Sequence, residues 1–184
     1  MRLLAKVFIV FLSLHSYAYA ALDLGDRAPE FSAVGSIAGN PFEFKMSDAL
    51  RQGPVVLYFF PLAFSADCSI EAHEFAEAVE DYKKLGATVI GVSRDDIETQ
   101  KRFSATECRG KFAVIADPSQ VIMKSYDAVM ALKPDFANRV SYVISPDGTV
   151  VYQYTSLNPS RHVQRTLTAL REWIGQRLKD GKAK

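Results

Sequence analysis

The stretch from residue 55 to residue 68 constrains this chain more than any other. Val55 to Phe60 is an uncharged run of β-branched and aromatic residues, which predicts a strand buried on both faces. Pro61 ends that strand, because proline cannot donate a hydrogen bond to a β-ladder. Apolar residues with helical spacing follow from Cys68 to Leu85. The sequence therefore places a single cysteine in the first turn of a helix, directly after a buried strand.

The position of Cys68 favours a thiolate. The first turn of a helix has backbone N–H groups without intrahelical partners and the positive end of the helix dipole, and both stabilise a negative sulfur. Ser65, three residues earlier, adds a hydroxyl that can donate and accept hydrogen bonds, although serine is also a common helix N-cap. The alternative for Cys68 is a small buried hydrophobic residue, which is how a free cysteine usually behaves.

The pattern Pro61-x-x-x-Ser65-x-x-Cys68 resembles the active-site motif of peroxiredoxins, Pro-x-x-x-Thr/Ser-x-x-Cys. Residues 68–72 look like the bacterioferritin-comigratory, or peroxiredoxin Q, branch, and residues 23–31 resemble the opening segment of peroxiredoxins. The resemblance implies a thiol-dependent peroxidase that reduces hydrogen peroxide and organic hydroperoxides through a thiolate and a sulfenic acid. It implies no cofactor and no metal. Its partners would be the hydroperoxide and an external thiol or a thioredoxin-like reductant.

The resemblance also assigns roles to residues around the cysteine. Arg139 begins an apolar strand, where a charge is costly unless it lies at an edge or meets a partner. It matches the peroxiredoxin arginine that lies beside the cysteine, favours the thiolate and stabilises charge on the peroxide; the alternative is an ordinary strand-edge arginine. Pro61 would shield the sulfur from water. Glu71, on nearly the same helix face as Cys68, would orient the arginine, or else be a solvated surface residue.

The second cysteine, Cys108, is the candidate resolving thiol. The peroxiredoxin Q branch often has its resolving cysteine five positions after the nucleophile, but that position is His73, which we interpret as a helix-surface residue. Related proteins with a distant resolving cysteine place it in the next helix, by our alignment at Ser104, one turn before Cys108. A disulfide between Cys68 and Cys108 is the preferred interpretation. The alternative is an unpaired Cys108 in an enzyme that works with one cysteine.

The order of elements predicts a thioredoxin-like α/β fold of the peroxiredoxin type, with a central mixed sheet flanked by helices. The stretch from Val129 to Asn138 lacks periodicity and predicts a loop. The other predicted strands are Phe42–Phe44, Ala87–Val92, Phe112–Ala116, Arg139–Ile144 and Thr149–Tyr154. The other predicted helices run from a cap at Asp95 or Asp96 to near Gly110, from Gln120 to Tyr126 and from Pro159 to Leu178.

Residues 1–20 have the features of a secretory signal peptide. Two basic residues precede an apolar run that is too short to span a bilayer, and Ala18-Tyr19-Ala20 is a cleavage site. We therefore expect one domain at residues 21–184, beginning at Ala21 and located in the periplasm or secreted. Two of the 22 basic residues and none of the 21 acidic ones lie in the signal, so the remaining charge is close to zero. This balance indicates neither nucleic-acid binding nor stable membrane association, and a monomer or weak homodimer is expected.

Two other functions compete with the peroxidase. An exported thioredoxin-fold thiol-disulfide oxidoreductase would need Cys-x-x-Cys, whereas Ser65 and Glu71 occupy the positions three residues from Cys68. A non-catalytic binding protein on the same fold would not need the four residues Pro61, Ser65, Cys68 and Arg139 together.

Overall fold

A seven-stranded mixed sheet forms the centre of residues 21–181, the part of the chain that the computed structural model describes. The predicted signal peptide lies outside these residues. The elements in chain order are β1 (Ser32–Ile37), β2 (Asn40–Lys45), α1 (Met46–Gln52), β3 (Val55–Phe59), α2 (Ala66–Lys84), β4 (Thr88–Ser93), α3 (Ile97–Thr106), β5 (Ala113–Ala116), α4 (Val121–Ser125), β6 (Val140–Ile144), β7 (Val150–Thr155), a 3₁₀ turn (Pro159–Arg161) and α5 (His162–Lys179).

The strands lie side by side in the order β2-β1-β5-β4-β3-β6-β7. The pairs β3–β4 and β4–β5 are parallel, and all other neighbouring pairs in this sheet are antiparallel. Parallel neighbours need a crossover, which α2 provides between β3 and β4, and α3 between β4 and β5. The start of α2 therefore lies at the carboxyl end of the inner strand β3, where ligand sites of α/β sheets form.

Strand β3 divides the core into two layers because its side chains alternate between the faces of the sheet. Leu57 and Phe59 join one apolar layer with α1 and α4. Tyr58 and the following Phe60 join the other, which contains residues of α2, α3 and α5 and both cysteines. All five residues of β3 are fully buried, which confirms the predicted buried strand.

The helix after β3 is also confirmed, with its first residue at Ala66 and its last at Lys84. One face of α2 is buried from end to end and carries the predicted inward stripe: Cys68, Ala72, Phe75, Val79 and Tyr82. The predicted loop after α4 is confirmed as well, since residues 129–138 contain only turns and one isolated bridge.

Two elements were not predicted, β1 and α1. Strand β1 has two serines and Gly35 among its six residues, so its intrinsic preference for strand is weak. It forms because β2 pairs with one of its edges and β5 with the other. Gly35 suits this place, since an added Cβ there would lie 2.5 Å from the side chain of Ile115 on β5. Helix α3 ends earlier than Gly110, at Thr106. No helix within residues 21–181 has the length and apolarity needed to span a membrane.

Candidate active site

Cys68 is the third residue of α2, and its side chain is almost completely buried, with 2% exposed. Ser65 occupies the N-cap position, but its Oγ donates to the Leu62 carbonyl oxygen at 3.1 Å and makes no capping hydrogen bond to the helix. The N–H groups of the first turn are therefore not occupied by this side chain. The sulfur lies at the positive end of a 19-residue helix, which favours an anion there.

Arg139, the residue directly before β6, lies next to this sulfur. Its Nη2 donates toward Cys68 Sγ at 3.5 Å, and its Nε donates to the Leu157 carbonyl oxygen at 3.1 Å. Burial lowers the pKa of Arg139, but its interactions with Glu71 and Cys68 raise that pKa by more, so the guanidinium stays charged although only 3% of Arg139 is exposed. A buried cation held at two points and aimed at a sulfur stabilises a thiolate and any negative charge on a bound oxygen.

Glu71 is the third member of the cluster. Its Oε2 accepts a hydrogen bond from Arg139 Nη1, and its side chain is completely buried. Burial raises the pKa of Glu71 to about 8, against the lowering effect of Arg139. The solvated-surface alternative for this residue is therefore wrong. The structure brings Glu71, Arg139 and Cys68 together although 68 residues separate Glu71 from Arg139 in the sequence.

His162, the first residue of α5, contacts the cluster through Glu71 and was not predicted as part of it. Its Nδ1 lies 3.6 Å from Glu71 Oε1 and 2.8 Å from Ser141 Oγ on β6. Its Nε2 lies 2.9 Å from the Ser156 carbonyl oxygen. Burial lowers the pKa of His162 to about 4, so the ring is neutral at neutral pH. No local pattern in the sequence indicates this contact, because α5 reaches α2 only through the fold.

The loop between β3 and α2 is held by Asp95, which the sequence suggested only as one of two possible helix caps. Asp95 Oδ2 accepts the Ala63 N–H at 2.8 Å and the Ser93 hydroxyl at 2.6 Å. Asp96, the other candidate, caps α3 by accepting the Thr99 N–H at 2.8 Å. Asp95 thus connects the end of β4 to the loop that positions the cysteine helix.

A shallow pocket of about 390 Å³ opens over the cysteine helix. Pro61, Ser65 and Arg139 line it, and the remaining lining residues are Ala66, Asp67 and Leu157. Cys68 does not line the pocket; its nearly buried sulfur contacts Arg139, which does. A larger cavity of about 550 Å³ between α2 and α5 is lined by none of the predicted site residues. The pocket of about 390 Å³ is lined by both the hydroxyl of Ser65 and the cation of Arg139, and Arg139 connects it to the sulfur.

Cys108 lies apart from this pocket, two residues after the end of α3. It is fully buried, it is a free thiol, and its N–H donates to the Phe103 carbonyl oxygen at 3.0 Å. Burial, with a smaller effect from Glu107, raises the pKa of Cys108 well above its ordinary value. Cys108 is therefore a protonated thiol in this state of the protein, although it belongs to the same apolar layer as Cys68.

No cluster of three or more His, Cys, Asp or Glu side chains with the geometry of a metal site occurs among residues 21–181.

Comparison with known sequences gives a consistent family. The AhpC/TSA family model matches residues 24–153. A chloroplastic peroxiredoxin Q of Gentiana triflora is 33% identical over 155 residues, which make up 83% of this chain and 68% of that protein. A chloroplastic peroxiredoxin Q of Triticum aestivum is 36% identical over 115 residues, or 62% of this chain and 52% of the relative. The chain thus spans about half the length of the first curated relatives it matches.

Solved structures are similar over most of the chain. Thioredoxin peroxidase I of Plasmodium yoelii has a TM-score of 0.75 at 25% identity and is matched over 88% of this chain and 96% of its own. A cysteine-to-serine mutant of PrxQ from Xylella fastidiosa has a TM-score of 0.75 at 22% identity, over 84% of this chain and 99% of its own. The second likeness shows the fold alone. Together these matches confirm the thioredoxin-like fold predicted from the order of elements.

Proposed function

The chain belongs to the AhpC/TSA family of peroxiredoxins, and from this premise we propose that it is a thiol-dependent peroxidase in which Cys68 attacks the peroxide. Its relatives among peroxiredoxin Q proteins support a place in that branch. The observation that carries the proposal is the contact of Arg139, which lines an open pocket, with the sulfur of Cys68 at the first turn of a helix.

The proposed reaction begins with the Cys68 thiolate. The sulfur attacks one peroxide oxygen, a new S–O bond forms, and the O–O bond breaks. The second oxygen leaves with the electron pair of that bond and takes up a proton, which gives water from hydrogen peroxide or an alcohol from an organic hydroperoxide. Cys68 is oxidised to sulfenic acid. Arg139 stabilises both the thiolate and the charge that builds on the leaving oxygen. The Ser65 hydroxyl, whose hydrogen is donated to the Leu62 carbonyl oxygen, can accept a hydrogen bond from the peroxide.

We further propose that Cys108 resolves the sulfenic acid. Its thiol displaces water, a disulfide between Cys68 and Cys108 forms, and an external thiol or thioredoxin-like reductant returns both to thiols. Bonded cysteines need Cα atoms within about 7 Å of each other. Since both side chains are buried in helix-terminal segments, we expect the first turn of α2, the turn at 107–110, or both to open first.

A three-protein comparison tests these proposals: wild type, Cys68→Ser and Cys108→Ser. Stoichiometric hydrogen peroxide should rapidly consume thiols in the wild type and in Cys108→Ser but not in Cys68→Ser. A Cys68→Ser protein that reacts as fast as wild type would overturn the peroxidase assignment.

Mass spectrometry of the oxidised wild type tests the role of Cys108 and should show a crosslinked Cys68–Cys108 peptide within one chain. A sulfenic or sulfinic Cys68 beside a free Cys108 would make this a one-cysteine enzyme, and a crosslink between chains would move the partner to another subunit.

Export is the remaining part of the proposal. The basic start, the apolar run and the Ala18-Tyr19-Ala20 site support removal of residues 1–20 and a periplasmic or secreted location. In that location the reductant must be an exported thiol protein rather than a cytoplasmic one. Amino-terminal sequencing of protein from the periplasmic fraction should begin at Ala21. A cytoplasmic protein that retains Met1 would contradict it.

A further inference from the structure

Arg139 contacts Glu71 through Nη1 and Cys68 through Nη2, and His162 lies next to Glu71. Glu71 and His162 are both titratable and both completely buried. Glu71 Oε2 is occupied by Arg139, but Glu71 Oε1 has no hydrogen-bond partner within residues 21–181. A buried carboxyl oxygen without a partner is costly. The atom that faces it is His162 Nδ1, at 3.6 Å.

The contacts of the imidazole fix its hydrogen. A carbonyl oxygen can only accept, so His162 Nε2, 2.9 Å from the Ser156 carbonyl oxygen, carries a hydrogen and donates it. In the neutral ring, Nδ1 is then an acceptor. Its single lone pair faces both Ser141 Oγ at 2.8 Å and Glu71 Oε1 at 3.6 Å, so it accepts from Glu71 only while the Ser141 hydroxyl points its hydrogen elsewhere. The second separation is longer than an ordinary hydrogen bond, so a direct bond requires the two side chains to move closer together.

The protonation state of Glu71 decides whether this contact is favourable. An ionised carboxylate would turn a lone pair of Oε1 toward the lone pair of Nδ1, with no hydrogen between them. A proton on either atom gives Oε1 the partner it lacks and makes the Glu71–His162 pair neutral as a whole. Burial raises the pKa of Glu71 to about 8 and lowers the pKa of His162 to about 4, so at neutral pH the proton resides on Glu71.

We propose that His162 is a positioning residue for the Cys68 site: its Nδ1 accepts the proton of Glu71 Oε1, so that Glu71 stays neutral and the full positive charge of Arg139 remains available to the sulfur. A neutral Glu71 still accepts the Arg139 hydrogen bond through Oε2, so the guanidinium keeps its orientation. An anionic Glu71 would orient Arg139 equally well but would offset its charge. The inference rests on the proposed function of Cys68 and adds a residue that acts on it through Glu71 and Arg139.

The charges around Glu71 act in both directions, since Arg139 favours the carboxylate, although its effect is smaller than that of burial. The neighbouring acidic side chains of α2 disfavour a second negative charge at this position. The titratable groups that face the pair are Asp67, Cys68 and Glu74 on α2, Tyr58 on β3, Arg139 before β6, and Tyr154 on β7, whose ring packs edge-on against His162 at 4.9 Å. Arg139 is the one cation among them, and it also lowers the pKa of His162.

The test measures thiolate formation at Cys68 by its ultraviolet absorbance, in a Cys108→Ser background and without peroxide. His162→Phe removes the acceptor for the Glu71 proton, so more Glu71 is ionised and offsets Arg139. At the pH where half of Cys68 is thiolate in the Cys108→Ser parent, the thiolate fraction of Cys68 in the His162→Phe variant should be about threefold lower. His162→Asn keeps an amide oxygen near the position of Nδ1, so its thiolate fraction should be close to that of the parent. His73→Gln, on the exposed side of α2, is the matched control and should leave the titration unchanged.

A double-variant cycle separates this role from a structural one. In a Glu71→Gln background the side chain cannot ionise, so adding His162→Phe should no longer change the thiolate fraction. An equal loss in both backgrounds would overturn the proposal, and so would a His162→Phe titration identical to that of its parent. If His162→Phe does not fold, nitrogen NMR of the wild type decides. A neutral ring with its hydrogen on Nε2 at neutral pH supports the proposal, and an imidazolium contradicts it. The Cys68 titration and the NMR measurement use no peroxide, so they test the role of His162 independently of the peroxidase assay.

Discussion

The imidazole of His73 on α2 lies 3.1 Å from the carboxylate of Glu107, the residue that precedes Cys108. On the other side of the cysteine, Arg109 Nη1 lies 3.2 Å from Glu77 Oε1, one helical turn further along α2. His73 is on the helix surface, as predicted, but it is not without a partner. The segment that carries the candidate resolving cysteine is thus attached on both sides to the helix that carries the candidate nucleophile.

These two contacts should slow the exposure of Cys108. In a Cys68→Ser background, Glu107→Gln combined with Arg109→Gln should speed alkylation of Cys108 by about two- to fivefold, since hydrogen bonds and ion pairs at the surface are individually weak. High salt should speed labelling in the parent and have less effect in the double variant. Glu80→Gln, which removes the separate Lys83–Glu80 pair of α2, is the control. An unchanged labelling rate in the double variant would show that the contacts do not hold the segment.

Replacement of Arg139 should reduce the reaction of Cys68 with peroxide. Arg139→Ala removes the cation that contacts the sulfur, and loss of one preorganised charge donor typically costs about 10²-fold in rate. Arg139→Lys should recover only part of the lost rate, because an ammonium group cannot contact Glu71, Cys68 and the Leu157 carbonyl oxygen at the same time in the fixed geometry of a guanidinium. Stopped-flow peroxide consumption measures both.

The matched control for Arg139 is Arg51→Ala, which removes a surface arginine paired only along its own helix with Asp48. Its rate should equal that of the wild type. If Arg139→Ala also reacts at the wild-type rate, Arg139 is a structural residue and the helix terminus alone activates the sulfur.

The parts of the fold that follow from local pattern could be predicted. The buried run of β3 and the stripe from Cys68 to Tyr82 both appear in the structure, because strand and helix periodicity depend on neighbours within a few residues. Strand β1 could not be predicted from its own residues, since two other strands supply its stability. Its bounds depend on pairing with segments that lie far away in the sequence.

The same distinction applies to the site. Pro61, Ser65 and Cys68 are close in sequence, so a short motif finds them. The position of Arg139 beside Cys68 was expected from the family resemblance, and no spacing in the chain indicates it. His162 and Asp95 were missed because a lone histidine or aspartate carries no local signal. Their roles arise where α5 and the end of β4 meet the cysteine helix and its loop.

Gly91 on β4 should not tolerate a side chain. A Cβ at this position would lie 2.8–2.9 Å from the phenol end of Tyr58, which is fully buried and packs against Phe75 at 4.4 Å. Because overpacking a core costs about 1–3 kcal/mol, Gly91→Ala should lower the free energy of unfolding by that amount in urea denaturation. Gly175→Ala on α5, where a Cβ has no neighbour within 4 Å, is the matched control and should be neutral or stabilising. Equal stabilities of the two variants would contradict the prediction.

The hydroxyl of Tyr58 should be dispensable for stability. It is buried and has no hydrogen-bond partner within the described part of the chain, and burial raises its pKa well above the ordinary value. Tyr58→Phe removes an unsatisfied polar atom and keeps the ring, so the free energy of unfolding should be unchanged or rise by about 1 kcal/mol. Tyr142→Phe is the control. The Tyr142 hydroxyl donates to the Tyr126 carbonyl oxygen at 2.8 Å, so its removal should lower the free energy of unfolding. A Tyr58→Phe loss as large as that of Tyr142→Phe would indicate a partner for the Tyr58 hydroxyl.

The stability of the fold should depend on pH through Glu71 and His162 with opposite signs. Between about pH 4.5 and 8 the native state keeps a proton on Glu71 that the unfolded chain releases, so this residue makes stability fall as pH rises. Between about pH 4 and 6.5 the unfolded chain binds a proton at His162 that the native state does not, so stability rises with pH. The two effects oppose each other below pH 6.5. From pH 6.5 to 8 only Glu71 of this pair acts, and the free energy of unfolding falls by up to about 1.4 kcal/mol per pH unit.

Urea denaturation at a series of pH values tests this prediction. Glu71→Gln should remove the decrease in the free energy of unfolding above pH 6.5 and reveal the decrease toward acid that His162 causes. The control Glu77→Gln, at an exposed position, should follow the wild type. Parallel curves for Glu71→Gln and the wild type would mean that Glu71 is ionised in the native protein across that range.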